Sequence, residues 1–109
     1  MAFEVRISAG AKRELDEIFA FVIERISADG ASIWCDRLDE ALFELGEAPK
    51  SKPIAHESDD LGVELRQSLF GEGAGQYRLI FRIVEEESAV DVVSIRRSAR
   101  SDVTQRDLE

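Results

Sequence analysis

Phe3-Glu4-Val5-Arg6-Ile7 alternates apolar and polar side chains, the period of a half-buried strand. Ser8 follows where an N-cap belongs, its hydroxyl able to accept from the unpaired amides of a first helical turn. From there Ala11, Leu15, Ile18, Phe19, Val22 and Ile26 recur at spacings of three and four, while Lys12, Arg13, Asp16, Glu17 and Glu24 fill the opposite side. That pattern predicts an amphipathic helix of about 18 residues. Ser27-Ala28-Asp29-Gly30 interrupts it, and a second helix carries Ile33, Trp34, Leu38, Ala41, Leu42 and Leu45 on one side. Gly46 and then Pro49 are expected to end that helix, a flexible residue before a breaker. A short link between two apolar stripes predicts an antiparallel helical hairpin. Residues 47–62 read as irregular, with both prolines (Pro49, Pro53), the lone His56 and the pair Asp59-Asp60.

Three strand patterns close the chain. Val63, Leu65, Gln67 and Leu69 alternate with Glu64, Arg66 and Ser68, and residues 77–84 are strongly β-prone. Glu85-Glu86-Glu87-Ser88 then turns the chain into Ala89–Ile95. Short loops between consecutive strands predict an antiparallel meander. The order β-α-α-β-β-β defines an α+β fold, with an N-terminal helical hairpin packed on one face of a small, mainly antiparallel sheet. Residues 1–100 are expected to form a single domain and 101–109 a polar tail.

Strand parity supplies the first chemical expectation. If the hairpin covers Tyr77, Leu79, Phe81 and Ile83, then Arg78 and Arg82 point away from it. Arg66, set opposite Val63, Leu65 and Leu69, is expected to join them, and Arg96, Arg97 and Arg100 extend the cluster from the last strand. Guanidinium forks offer paired donors and a charge that cannot be titrated away, which suits phosphate or an acidic target. The competing reading is that these arginines solvate an open face beside Glu64 and Asp91.

Composition changes the picture only in part. At 109 residues, with 44% hydrophobic and 34% charged side chains, the chain holds one core. Its 14 basic and 23 acidic residues leave a net charge of −9, which argues against coating nucleic acid or anionic membrane. The charge is uneven, since every cation after Gly62 is an arginine. No apolar run approaches the roughly 20 residues that span a bilayer, and the start lacks the pattern of a signal peptide. Cys35 is alone and His56 is the sole histidine, so neither an internal disulfide nor a Cys/His zinc site is expected, nor any other metal or cofactor. A reduced, cytoplasmic setting follows as the default. Gly71-Glu72-Gly73-Ala74-Gly75 lacks the lysine and hydroxyl of a phosphate loop and reads as a hairpin connection. Trp34 reads as core, Cys35 as an inert thiol and His56 as an exposed loop residue. Phe21 lies off the apolar stripe of its helix, either as a lone exposed residue or as part of a partner surface.

Taken together, Ile7-Ser8-x-x-Ala11-x-x-Glu14-Leu15-x-x-Ile18-x-x-Phe21-Val22, Ala31-x-x-Trp34 and Leu45-x-x-x-Pro49 resemble the helical half of RelE/ParE-type toxins. Leu65-Arg66, Tyr77-Arg78-Leu79-Ile80-Phe81-Arg82 and Val92-Val93-Ser94-Ile95-Arg96-Arg97-Ser98-Ala99-Arg100 resemble its sheet half. The resemblance spans about residues 3–100 and implies the toxin of a type II toxin–antitoxin pair, also described as a plasmid stabilisation protein. It implies a cognate antitoxin, here assigned to Phe21, and growth inhibition by one of two routes. ParE-like members bind DNA gyrase; RelE-like members cut mRNA on the ribosome. In the nuclease reading Arg66 and Arg78 stabilise developing phosphorane charge, Arg82, Arg96, Arg97 and Arg100 bind phosphate, and His56 or Tyr77 is left to move protons. Many nuclease members place acid/base side chains at the end of the last strand, where this chain has Ser98 and Ala99. That departure favours the ParE-like route. A third reading is an inactive or purely interacting relative, with a homodimer or a toxin–antitoxin hetero-oligomer as the assembly.

Overall fold

Ser8 Oγ accepts from the amide of Ala11 at 3.1 Å, and the first helix begins there. The computed structural model describes residues 2–71, 75–98 and 108. Its elements are β1 (Glu4–Ile7), α1 (Ala9–Arg25), α2 (Ala28–Glu47), a 3-10 turn at Pro49–Ser51, α3 (Glu57–Leu61), β2 (Arg66–Phe70), β3 (Tyr77–Val84), a second 3-10 turn at Glu85–Glu87 and β4 (Ala89–Arg97). The expected β-α-α-β-β-β order is present, and the short α3 lies in the stretch that reads as irregular.

The strands form one sheet in the order β1-β4-β3-β2. β2, β3 and β4 make the antiparallel meander, while β1 joins the far edge parallel to β4, Glu4 opposite Ala89 and Ile7 opposite Val92. Both helices lie on one face. Ala11 of α1 and Trp34, Leu38, Ala41 and Leu45 of α2 pack on Tyr77, Leu79, Phe81, Val90, Val92 and Ile95. Val92 and Ile95 share that face although three residues separate them. The pairing shifts between Ile80 and Phe81, Ile80 lying opposite Ser94 and Phe81 opposite Val92, so Val93 is an extra residue that resets the alternation.

Gly46 does not terminate α2. It is buried inside the helix, where Phe3 N–H donates to its carbonyl at 2.8 Å and a Cβ would stand 3.2 Å from the Phe3 carbonyl oxygen. The missing side chain lets the segment entering β1 run close beside the helix. The apolar stripes are also narrower than the spacing predicts. Phe19, Ile26 and Ile33 remain 40%, 66% and 56% exposed.

Two expectations about the sheet are corrected. The apolar set Leu65–Leu69 does not face the hairpin, because β2 sits one residue out of the expected phase. Ser68 and Phe70 are buried beneath the helices, Leu69 is half exposed, and Arg66 pairs opposite Phe81. Leu65 is claimed by the other side of the sheet. There Ala55, Leu65, Ile80 and Val93 form a second small cluster, flanked by Leu61, Val63 and Leu108. That face is therefore not bare. Residues 53–65 cross it, fastened by Ala55 N–H to the Leu65 carbonyl (2.7 Å), by Gln67 N–H to the Pro53 carbonyl (3.0 Å) and by Ser58 Oγ, which donates to the Val63 carbonyl and accepts from Leu65 N–H.

At the end of β2 the chain turns at Gly71, φ +84°, where a Cβ would collide with the Gly75 carbonyl oxygen. Gly71→Ala is expected to cost about 1–2 kcal/mol for the positive φ alone, and more for the collision. A urea titration reporting an unchanged midpoint would contradict this account of the turn.

Candidate functional site

The six arginines do not form one cluster. Register splits the described ones between the two faces, Arg66 and Arg97 opposite Phe81 and Tyr77 on the hairpin side, Arg78, Arg82 and Arg96 on the other. Arg100 lies outside the described residues. Arg78 and Arg96 are direct cross-strand neighbours, a like-charge pairing that opposes sheet formation unless each charge is answered. Each is. Arg78, 4% exposed, donates through Nη2 to Glu57 Oε1 at 2.7 Å and through Nε and Nη2 to Gln67 Oε1. Glu57 is itself 1% exposed, held over the strand by α3. Arg96 donates through Nε to Ser94 Oγ at 2.8 Å, and its Nε lies 3.6 Å from Glu14 Oε2.

Glu14 reaches that position because β1 is short. β1 pairs with β4 only as far as Val92, so the edge beyond is left to α1. Glu14 accepts there from Ser94 Oγ at 3.0 Å and from Ile95 N–H at 3.4 Å. Three further sheet arginines are held as well. Arg66 donates to the carbonyls of Lys52 (2.7 Å) and Lys50 (3.3 Å) and pairs with Glu64, while Arg82 stands 3.7 Å from Asp91 Oδ2. Arg6 binds Asp91 and Glu87, whose hydrogen bonds raise its pKa above the ordinary guanidinium value. The cationic face expected from parity is thus an internally neutralised network, with Arg78 and Arg96 closed to solvent.

Proton-transfer candidates are placed no better for chemistry on that face. Tyr77 is buried on the hairpin side between Trp34 (5.6 Å, edge-on) and Phe70 (5.7 Å, stacked). His56 is largely exposed, its Nδ1 3.5 Å from Glu57 Oε1. Cys35 is half-buried in α2, and burial, followed by Asp39 and Asp36, pushes its thiol pKa up, away from reactivity.

A different surface is open. Where α1 ends and α2 begins, a groove of about 440 Å3 lies between the helices and the end of the sheet. Trp34, Val22 and Tyr77 form its base, and the exposed side chains of Phe21, Ile26 and Ile33 its walls. Among the described residues its charged lining is arginine: Arg25, Arg37 and Arg97. Arg25 lies over the Phe21 ring, 5.8 Å from its centroid. The indole N–H of Trp34 is buried with no acceptor among the described residues. Of the predicted site residues, Phe21 and Arg97 meet here. Ile26 and Ile33, which read as core from their spacing, are instead exposed on this surface. Arg25, one helical turn after Phe21, was the available signal that this edge of α1 is a surface.

The sequence matches the family described as ParE toxin of type II toxin-antitoxin system, parDE, over residues 5–102. A search of curated proteins finds no relative. Among solved structures the chain is similar to a double arginine-to-alanine mutant of Escherichia coli toxin RelE in the free state, with TM-score 0.59 and 16% identity over 91% of this chain and 86% of that one. It is similar also to a chain of the intact E. coli RelBE toxin–antitoxin complex, at 0.55 and 17% over 91% and 100%. A chain of the RelBE2 toxin–antitoxin complex of Mycobacterium tuberculosis matches at 0.53 and 19% over 89% and 99%. These likenesses concern the fold, which is the RelE/ParE architecture. With the family match spanning β1 to β4, the chain belongs to the ParE toxins of type II toxin–antitoxin systems.

Proposed function

We propose that the chain is a ParE-like growth inhibitor that acts by binding a protein target such as DNA gyrase and is silenced by a cognate antitoxin seated in the groove around Phe21. The observation that carries this reading is the fate of Arg78. A ribonuclease needs a cation free to meet developing phosphorane charge. Here the guanidinium of Arg78 is buried at 4% exposure and bonded to a buried carboxylate. Binding a protein target makes no such demand.

The groove supports the antitoxin assignment. An apolar trough of about 440 Å3 with arginines on its rim fits one turn or two of an amphipathic helix bearing acidic flanks. The solved E. coli RelBE and M. tuberculosis RelBE2 structures are of toxin–antitoxin complexes, which supports a partner of this kind.

Induction of the chain without its antitoxin tests the reading directly, with RNA and DNA integrity followed in the same culture. The expected outcome is growth arrest with DNA-damage signals and intact mRNA. Ribosome-dependent mRNA cleavage would establish the RelE-like nuclease instead, and unchanged growth would point to an inactive relative. A paired change, Glu57→Leu with Arg78→Met, is expected to leave the arrest in place, because the proposed route uses neither group.

A further inference from the structure

At the opposite end of α1 a second cavity, of about 540 Å3, opens on the sheet face away from the hairpin. It shares no residue with the groove at Phe21. Three guanidiniums from three elements line it. Arg6 on β1, Asp91 on β4 and Arg82 on β3 are direct cross-strand neighbours, so an Arg-Asp-Arg row runs across the sheet. Asp91 Oδ1 accepts from Arg6 Nε at 2.6 Å, and its Oδ2 lies 3.7 Å from Arg82 Nε. One carboxylate thus faces the Nε of both guanidiniums. The third, Arg13, comes from α1. Its Nη2 lies 3.7 Å from where a Gly10 Cβ would be, so the head folds back over the start of the helix, and it makes no ion pair among the described residues.

Within the cavity three cations meet a single carboxylate, in a chain whose net charge is −9. Glu87 answers Arg6 from outside the cavity, 2.9 Å from its Nη1, so two carboxylates face three guanidiniums and one positive charge is left over, which an anion between them offsets. Phosphate matches best, because its several oxygens accept paired N–H donors from more than one arginine at once. Ile7, Val93 and Leu108 give the cavity an apolar side, which fits a phosphate carried on an organic group. We infer that the cavity bounded by Arg6, Arg13 and Arg82 binds the phosphate of a nucleotide, either free or within a polynucleotide. The inference stands independently of the proposed protein target and antitoxin groove.

The test is a titration of the isotope-labelled full chain followed by NMR at fixed ionic strength. The probes are adenosine 5′-monophosphate, adenosine as the phosphate-free control, and a short single-stranded RNA. The monophosphate is expected to shift the amides of Ala9, Gly10 and Asp91, and adenosine to leave them alone. Arg13→Gln with Arg82→Gln is expected to weaken binding by about ten-fold or more. Because both side chains are exposed, this double variant keeps the parent's thermal transition. RNA binding at the same amides but more tightly than the monophosphate assigns the site to polymer phosphate; equal affinities assign it to the free nucleotide. Shifts that survive the double variant, or no saturation by about 10 mM monophosphate, would overturn the inference.

Discussion

Glu57→Ala is expected to destabilise the chain by about 3–5 kcal/mol, because it strands the Arg78 guanidinium in a buried site without its countercharge. For a domain of this size that corresponds to a fall in the melting midpoint of more than about 10 °C. The loss arises from the charge left behind more than from the contact removed. Gln67 remains as one acceptor, but a neutral amide oxygen does not replace a carboxylate. The second half of the argument is the paired change. Glu57→Leu together with Arg78→Met removes both charges and fills similar volume, so most of the lost stability returns. Calorimetry on the parent, the single variant and the pair decides the matter. A single variant within about 1 kcal/mol of the parent would show that the buried pair contributes little and that α3 is held by Ser58 and the small apolar cluster alone.

The second large effect concerns the groove. Phe21→Asp with Ile33→Asp removes two exposed apolar walls and places negative charge beside an arginine rim that the proposed partner's own acids need. Each lost anchor is worth about 2 kcal/mol, so antitoxin affinity is expected to fall by at least about a hundred-fold. Both side chains are exposed, 44% and 56%, and the folded state tolerates the change. Growth arrest without antitoxin should persist, whereas rescue by co-expressed antitoxin should fail. Calorimetric titration showing unaltered affinity would move the antitoxin elsewhere on the chain.

Local chemistry made much of this fold legible. Ser8 announces the start of α1, Trp34 and Leu45 mark the buried side of α2, and the alternation through residues 77–84 places β3 with the correct face inward. What failed has an identifiable cause in each instance. Leu65 and Leu69 alternate as a strand should, but alternation cannot say which face is the core when both faces have one. The second cluster is made by residues 53–65, a stretch whose own pattern is too irregular to reveal that it covers a sheet. Arg78 was readable as a strand cation pointing away from the hairpin; its neutralisation was not. Glu57 lies 21 positions earlier, and nothing in the residues around it marks it as a countercharge. Glu14 was equally hidden, since its role on β4 depends on β1 ending early. Arginine surplus in the second half of the chain signalled a cationic surface, yet the two carboxylates that answer its buried members, Glu57 and Glu14, lie outside the strands that carry them.

The parallel seam between β1 and β4 has a consequence for how the chain is made. Arg6 meets Asp91 across 85 residues of sequence, so the first strand has no partner until the last one has left the ribosome. Until then the nascent chain carries its helices on an incomplete platform, and closing such a distant pairing is slow compared with helix formation. The sheet is therefore complete only once β4 has emerged, an interval in which a partner already present in the cell can meet the helices of the newborn chain.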